Sequence, residues 1–157
     1  MIDGSRLSPW EQIYTFVARD GRNIHIHAPR LRLHCLAMQY DVVLVPVDYK
    51  LARSFLRTNT VDPRRVVTMT PEAAFEPIIL CKTEAFGTND PIIPDVLMVD
   101  GHHRFTRAAM DGLKTIRAYL LELSQWQPFT VVNLPDTTQK RLTAEPIIPH
   151  SYWNTSP

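Results

Sequence analysis

Apolar positions repeat with two periods along the chain, and these periods predict the order of strands and helices. Runs rich in β-branched residues predict strands at residues 23–28, 40–47, 76–82, 96–100, 115–123 and around 129–134. Helix-type spacing follows N-cap or proline signals at residues 8–21, 48–58, 70–75 and 102–110. A short helical turn is predicted at 62–67, whereas residues 31–38 fit a strand or a helix equally well. This alternation predicts an α/β or α+β class with a small mixed sheet and short helices.

The N-terminal segment carries the most explicit helix signals. Ser8, Pro9 and Glu11 combine an N-cap, a first-turn proline and a capping box, and they predict a helix over residues 8–21. The apolar stripe of this helix would consist of Trp10, Ile13, Tyr14 and Val17. The next strong signal is the valine run at 40–47, which predicts a buried strand.

The segment VDGHHRF lies between a predicted strand and a predicted helix. The first amide N–H groups of a helix lack intrahelical partners and carry partial positive charge, so anions bind there. Gly101 permits a tight turn, and Arg104 can bind two phosphate oxygens at once. His102 and His103 add groups that exchange protons near neutral pH. The turn is therefore predicted to bind phosphate, and a turn with purely structural histidines is the alternative.

Length and composition predict one domain of 157 residues. It divides into an N-terminal helix with a basic segment (1–40), a core (41–123), and a C-terminal strand with a proline-rich tail (124–157). A formal net charge of +1 creates no overall field for nucleic acid or an anionic membrane. No apolar run approaches the roughly 20 residues that span a bilayer. Without a secretory signal, and with Cys35 and Cys81 predicted as buried thiols, the chain is expected to be cytoplasmic.

Residues 94–122 resemble the ParB/sulfiredoxin superfamily. In that superfamily an apolar strand meets a Gly-x-His-Arg or Gly-Glu-Arg-Arg turn, followed by a short alanine-containing helix, a Gly-Leu pair and another strand. The corresponding pieces here are Gly101–Arg104, Ala108-Ala109, Gly112-Leu113 and Thr115-Ile116. Upstream, FEPIIL (75–80) and VVLVPVDY (42–49) are similar to the preceding strands of the family. The resemblance covers residues 41–123 and implies a ParB/sulfiredoxin-like fold.

The resemblance also implies nucleotide chemistry. Members of the superfamily bind nucleotides at this turn, and they include partition proteins that hydrolyse CTP, sulfiredoxin, which uses ATP, and a serine-kinase branch. For this chain the resemblance implies an NTPase or a phosphotransferase that uses ATP or CTP with Mg²⁺. The implied phosphate-binding residues are Gly101, His102, His103, Arg104 and, as an assisting residue, Arg107.

Further roles follow from the same resemblance. Asp100 would hold Mg²⁺ or cap the helix, and Glu76 would be a metal ligand or a general base. His102 and His103 would take part in catalysis as well as in phosphate binding. Sulfinic acid reduction is not expected, because His102 stands where sulfiredoxin carries its reactive cysteine. Stand-alone members of this size are typical of phage and mobile-element genomes, and a homodimer is an open alternative.

Two other function classes stay open. One is a module that binds a nucleotide or another phosphorylated ligand without turnover, as a regulator or a sequestering partner. The other is a nuclease-like, DNA-binding protein, since residues 19–34 are rich in arginine and histidine, with Arg30 and Arg32 as candidate contacts. His25 and His27 share one face of a predicted strand, so a zinc site is weighed there against a hydrogen-bonded or solvated face.

Overall fold

Strands and short helices alternate in a mixed α+β fold. The computed structural model describes residues 1–8, 10–84 and 96–144. The strands are β1 Ile2–Asp3, β2 Ile13–Val17, β3 Asn23–His27, β4 Val43–Pro46, β5 Ile78–Lys82, β6 Val96–Asp100, β7 Thr115–Leu121 and β8 Val131–Val132. The helices are α1 Ala28–Met38, α2 Tyr49–Arg57, α3 Pro63–Thr68, α4 Pro71–Phe75, α5 His102–Met110, α6 Leu123–Trp126 and α7 Asp136–Ala144. Short 3₁₀ helices occupy Gly4–Arg6 and Gln127–Phe129.

The main sheet has the strand order β4-β7-β5-β6. Strand β7 runs antiparallel to β4 and parallel to β5, and β6 runs antiparallel to β5. Ala118 of β7 pairs with Val43 on one side and with Ile78 on the other. Strands β2 and β3 form a separate antiparallel hairpin, and β1 pairs in parallel with β8. Among the described residues, none of the helices has both the length and the apolar character needed to cross a bilayer.

Alternate residues of the main sheet enter two apolar clusters, because successive side chains of a strand point to opposite faces. One cluster joins sheet residues to α1, the β2–β3 hairpin and the buried Trp126; its sheet members are Ile79, Cys81, Leu97, Val99, Tyr119 and Leu121. The other joins sheet residues to α2, α3 and α5; its sheet members are Ile78, Leu80, Met98, Ile116 and Ala118. Cys35 of α1 and Cys81 of β5 are free, fully buried thiols in the first cluster, as predicted.

The predicted N-terminal helix is wrong. The Ser8 and Glu11 signals produce a single turn, in which the Glu11 carboxylate accepts a hydrogen bond from the Ser8 amide. The chain then enters β2, because the β-branched and aromatic residues of Ile13–Val17 pair with β3. Trp10, which was expected in the apolar stripe, is 84% exposed. The pairing of β2 with β3 therefore outweighs the capping signals of Ser8 and Glu11. Residues 8–21 alone do not reveal this pairing, because β3 begins only at Asn23.

Two further expectations require correction. Strand β4 exists, but it lies at the edge of the sheet with Val43 and Leu44 exposed, so the prediction that it is buried is wrong. The C-terminal segment is also more regular than predicted, since α6 and α7 form between Leu123 and Ala144. Residues 31–38, which fitted either element, belong to α1. The expected loop at 85–95 and the part of the proline-rich tail after 144 lie outside the described residues.

Candidate functional site

A cavity of about 390 Å³ opens beside the start of α5. The strand–turn–helix segment, β2 and α1 supply several of its lining residues, and α3, α4 and α7 contribute one residue each. The charged and imidazole side chains that line it are Arg32, Arg65, Glu76, Asp100, His102, His103 and Arg104. The predicted site residues Glu76, Asp100, Gly101, His102, His103 and Arg104 thus lie around one concavity.

Gly101 shapes this corner because no other residue fits its position. Its φ angle is +110°, and a Cβ atom there would lie 2.4 Å from Cγ2 and 2.7 Å from Cβ of Ile78. It is also the N-cap residue of α5, and as a glycine it offers no side-chain acceptor. The expectation that Asp100 caps α5 is wrong, because Gly101 is the N-cap and Oδ2 of Asp100 accepts from Arg104 instead. The first turn of α5 meets the cavity without a side-chain acceptor from the N-cap.

Two arginines from different elements meet on one carboxylate oxygen. Arg32 of α1 forms an ion pair with Oε2 of Glu76, and Nη1 of Arg104 lies 3.4 Å from the same oxygen. The backbone beside Glu76 is fixed, because the Phe75 carbonyl accepts a hydrogen bond from Nη1 of Arg117, whose guanidinium lies 4.2 Å from the centre of the Phe75 ring. This arrangement forms a binding position for an anionic oxygen.

Arg104 is a buried cation that two carboxylates neutralise. Its side chain is 8% exposed, and its Nη2 donates to Oδ2 of Asp100 at 3.1 Å, in addition to the contact with Glu76. Its Nε–H has no acceptor within the part of the chain that the structure describes. A buried donor without an acceptor is energetically costly, so among these residues the guanidinium of Arg104 retains one unused hydrogen-bond donor. The sequence predicted Arg104 at an anion site, but not its pairing with both carboxylates.

His102 is a neutral group at pH 7. Burial lowers the pKa of its imidazole to about 4, and the nearby Asp100 carboxylate only partly opposes this shift. The ring lies between two aromatic side chains, 4.9 Å from the Phe55 centroid and 6.3 Å from the Tyr14 centroid. His102 therefore offers hydrogen bonding and packing at the cavity wall rather than positive charge.

His103 is also held as a neutral imidazole. Its Nε2 accepts a hydrogen bond from the Asp62 amide at 3.0 Å, which leaves the proton of the neutral ring on Nδ1. Burial, followed by the positive charge of Arg65, lowers the pKa of His103. The positive charge at this cavity consequently comes from arginines and not from histidines.

Two predicted contacts lie away from the cavity. Nη1 of Arg107 donates to the carbonyl oxygens of Val66, Val67 and Met69, at 3.0, 3.3 and 3.3 Å, and its Nε pairs with Asp111. Arg107 thereby fastens the end of α3 to α5 and is absent from the residues that line the cavity. Arg30 is exposed on α1 and does not line it either.

The predicted basic face of residues 19–34 is divided in the structure. Arg22 pairs with Asp20 at 2.6 Å, whereas Arg32 turns to Glu76 in the cavity. His27 caps α1 by accepting from the Arg30 amide, and its other ring nitrogen lies 3.1 Å from Glu11. His25 lies 2.8 Å from the Thr15 hydroxyl. Within residues 1–8, 10–84 and 96–144, no group of three or more His, Cys, Asp or Glu side chains is arranged to hold a metal ion.

Sequence reasoning missed the part of the cavity that β2 and α3 supply. Tyr14 and Thr15 reach it because residues 13–17 form a strand, and Arg65 reaches it from α3. The β-branched and aromatic composition of residues 13–17 was the available signal for the strand. Nothing local in the sequence distinguishes Arg65 from the adjacent Arg64, which does not line the cavity.

The chain matches no protein-family model, and no curated protein or solved structure matches it. The resemblance to the ParB/sulfiredoxin superfamily consequently stays a prediction from the sequence, and the functional argument depends on the geometry of the site.

Proposed function

We propose that the cavity binds the phosphates of a nucleoside triphosphate, ATP or CTP, and that the protein is an NTPase or a phosphotransferase. The observation that carries this proposal is the convergence of Arg32 and Arg104 on one oxygen of Glu76, beside the start of α5. Two guanidinium groups around one oxygen make a suitable environment for a phosphate oxygen. An incoming phosphate would exchange with the Glu76 carboxylate at this position.

The charge around the cavity supports an anionic ligand. Arg32, Arg65 and Arg104 face the carboxylates of Glu76 and Asp100 there, which leaves one positive charge in excess. The Nε–H of Arg104 also has no acceptor among the described residues. The volume of about 390 Å³ falls within the range of small-molecule sites, roughly 300–1,000 Å³.

The carboxylates of Asp100 and Glu76 fit Mg²⁺, the cation that accompanies a nucleoside triphosphate. Mg²⁺ in such sites takes one or two protein carboxylates and completes its shell with phosphate oxygens and water. When bound, it would neutralise charge on the transferred phosphoryl group. Glu76, once a phosphate has displaced it from the arginines, is the better proton acceptor, because Nε2 of His103 already accepts from Asp62. His102 would hold the ligand as a neutral hydrogen-bonding group.

We also propose that β6 and α5 correspond to the strand–turn–helix unit of the ParB/sulfiredoxin superfamily, and that β5 corresponds to a preceding strand of that family.

A binding module without turnover is the second candidate, and one observation favours it. Both cavity carboxylates are bound to Arg104, with Glu76 bound to Arg32 as well, so neither is available for catalysis before a ligand arrives.

Titration calorimetry with ATP and CTP, with and without Mg²⁺, tests binding, and release of inorganic phosphate tests turnover. Arg32→Gln is the informative variant, because this side chain is 38% exposed, and we therefore expect the fold to tolerate its loss. Arg30→Gln is the matched control on the same helix. We expect Arg32→Gln to weaken nucleotide binding about tenfold, in line with the loss of a charged hydrogen bond, and Arg30→Gln to leave it unchanged.

The outcomes separate the candidates. Phosphate release that Arg32→Gln lowers and Arg30→Gln preserves would establish the enzyme. Binding without release would establish the binding module. If neither nucleotide binds with or without Mg²⁺, or if both variants behave like the wild type, the nucleotide proposal fails.

A further inference from the structure

An apolar groove of about 200 Å³ crosses the outer surface of α2, α3 and α5 and shares no residue with the cavity. It has room for one or two side chains of the size of leucine or phenylalanine. The residues that line it are Tyr49, Ala52, Arg53, Leu56, Pro63, Val66, Val67, Thr106, Ala109 and Met110. None of the carboxylate side chains in the described part of the chain lines this groove.

Large apolar side chains stand exposed at this groove. Tyr49 is 64% exposed, Val67 60%, Met110 50% and Leu56 39%. Single exposed apolar residues are ordinary on protein surfaces, but a contiguous group around a concavity marks an interaction site. The two apolar clusters of the core include none of these four side chains.

The floor of the groove is built before any partner arrives. Arg107 of α5 donates to the carbonyl oxygens of Val66 and Val67 on α3, and its Nε pairs with Asp111. These bonds hold α3 against α5 at a fixed spacing. A preformed groove loses less conformational freedom on binding than a flexible one, which favours its use as a docking site.

The helices that form the groove carry exposed cations. Arg53 lines the groove itself, and Lys50, Arg57 and Arg64 are exposed on α2 and α3. Among the ion pairs of the described residues, none involves these four cations. The carboxylates of Asp48 and Asp62 cap α2 and α3 and do not line the groove. An apolar groove beside exposed cations that lack ion pairs is complementary to an acidic, apolar partner.

We propose that this groove is the docking site for an acidic amphipathic helix of a protein partner. Leucine or phenylalanine side chains at i, i+3 and i+4 spacing would enter the groove, and flanking Asp or Glu side chains would meet Arg53, Arg57 and Arg64. A second copy of the chain does not fit face to face, because both surfaces would carry the same positive charge. The proposal is independent of the nucleotide proposal, since no groove residue lines the cavity.

Methyl-detected NMR on the full chain, titrated with synthetic peptides, tests this docking site. The probe is an amphipathic peptide of leucine and glutamate, with a lysine-for-glutamate peptide and a peptide of scrambled order as comparisons. We expect the acidic peptide to shift the methyl signals of Leu56, Val66, Val67 and Met110, and the two comparison peptides to leave these signals unshifted.

Matched variants locate the binding energy. Val67→Ser combined with Met110→Ser, and separately Arg53→Gln combined with Arg64→Gln, should each weaken the acidic peptide at least about fivefold. Leu33→Ser and Arg30→Gln, which alter comparably exposed residues of α1, should leave its affinity unchanged.

Any of the following results overturns the proposal. These are an absence of shifts up to about 1 mM peptide, equal binding of the lysine peptide, shifts confined to other surfaces, and displacement of the acidic peptide by a single-stranded oligonucleotide that binds more tightly. Concentration-dependent self-association that uses the same four methyl groups would overturn it as well.

Discussion

Helix α5 contributes to two concave surfaces, the cavity and the groove. The arginine of α5 at the cavity is buried and ion-paired, whereas the arginine at the groove is exposed. At its first turn, Arg104 is buried and two carboxylates neutralise it within the cavity. Near its last turn, Ala109 and Met110 face an apolar groove whose rim carries the exposed Arg53. No ion pair neutralises Arg53 within the described residues, and its guanidinium lies 5.9 Å from the centre of the Tyr49 ring.

The difference follows from the cost of burying charge. A buried guanidinium must be paired, because an isolated ion in the interior is far more costly than one in water. An anion that enters the cavity therefore has to exchange with a carboxylate that is already present. An exposed guanidinium needs no partner, so an acidic ligand at the groove meets no such competitor, and its attraction is screened by salt.

Substitution at the two ends of α5 gives the largest expected effect. Gly101 and Gly112 flank this helix and both have positive φ angles, +110° and +73°. A Cβ atom at Gly101 would collide with Ile78, whereas a Cβ atom at Gly112 meets nothing within 4 Å. We expect Gly101→Ala to lower the free energy of unfolding by about 3–5 kcal/mol, from backbone strain plus overpacking.

Gly112→Ala should cost only the backbone strain, about 1 kcal/mol. Urea unfolding followed by circular dichroism measures both variants. Equal losses at the two positions would contradict the claim that close packing against Ile78 determines the shape of the cavity corner.

The second prediction is a dependence of stability on pH that arises from the cavity side of α5. The pKa of His102 falls to about 4 on folding, so the unfolded chain binds a proton at higher pH than the folded chain does. Stability should therefore decrease as the pH falls from about 6.5 to about 4. Between pH 7 and pH 4.5 the free energy of unfolding should fall by about 2 kcal/mol less in the His102→Gln variant than in the wild type.

Urea unfolding at the two pH values provides this measurement. The Met110→Ser variant at the groove is the control, and it should keep the pH dependence of the wild type. A wild-type pH dependence in His102→Gln would show that another group is responsible.

The third prediction concerns separate substitutions of two neighbouring arginines on α3. Arg65 lines the cavity, whereas Arg64 does not and is exposed on α3, whose Val66 and Val67 line the groove. Arg65→Gln should weaken ATP or CTP binding about tenfold and leave the acidic peptide unaffected, because the lost contact is a charged hydrogen bond inside the cavity.

Arg64→Gln should have the opposite selectivity, with unchanged nucleotide affinity and weaker peptide binding. Calorimetry with the nucleotide and NMR titration with the peptide measure the two affinities. If either variant weakened both ligands equally, the two surfaces would not be separate in function.

The smallest expected effect concerns the carboxylate that competes for the anion position. Glu76→Gln removes the negative charge from the oxygen that Arg32 and Arg104 share. Inorganic pyrophosphate should then bind about threefold more tightly in the absence of Mg²⁺, since the ligand no longer displaces an ion pair. Glu72 is an exposed acidic residue on the nearby α4, and the Glu72→Gln variant should bind pyrophosphate as tightly as the wild type does. Weaker binding by Glu76→Gln would show that Glu76 holds the ligand instead of competing with it.

The sequence predicted the strand–turn–helix segment well, because its signals are local. Helix α5 spans the predicted residues 102–110, with an apolar run before it, a glycine at its start and a second glycine after its end. The β2 strand was missed because its stability depends on pairing with β3, and no capping signal reports that partner. The exposure of β4 was missed because a valine run does not reveal whether its strand is central or at an edge.

The site was predicted in part for the same reason. The residues from Asp100 to Arg104 are consecutive, so they stay together in any fold that keeps the turn. Arg32 and Arg65 join them only through the packing of α1 and α3, which the sequence does not specify locally. Arg107 was predicted to assist phosphate binding, but it binds carbonyl oxygens at the end of α3. Helical spacing could not show this contact, because it does not reveal where α3 ends.

The buried thiols make the protein a reporter of its own opening. Burial raises the pKa of Cys35 to about 11 and that of Cys81 well above its usual range. Since the thiolate is the reactive form, we expect an alkylating reagent to react with neither sulfur until the apolar cluster that contains both opens. Arg32 belongs to the same helix as Cys35, so an anion that binds Arg32 should slow the alkylation of Cys35.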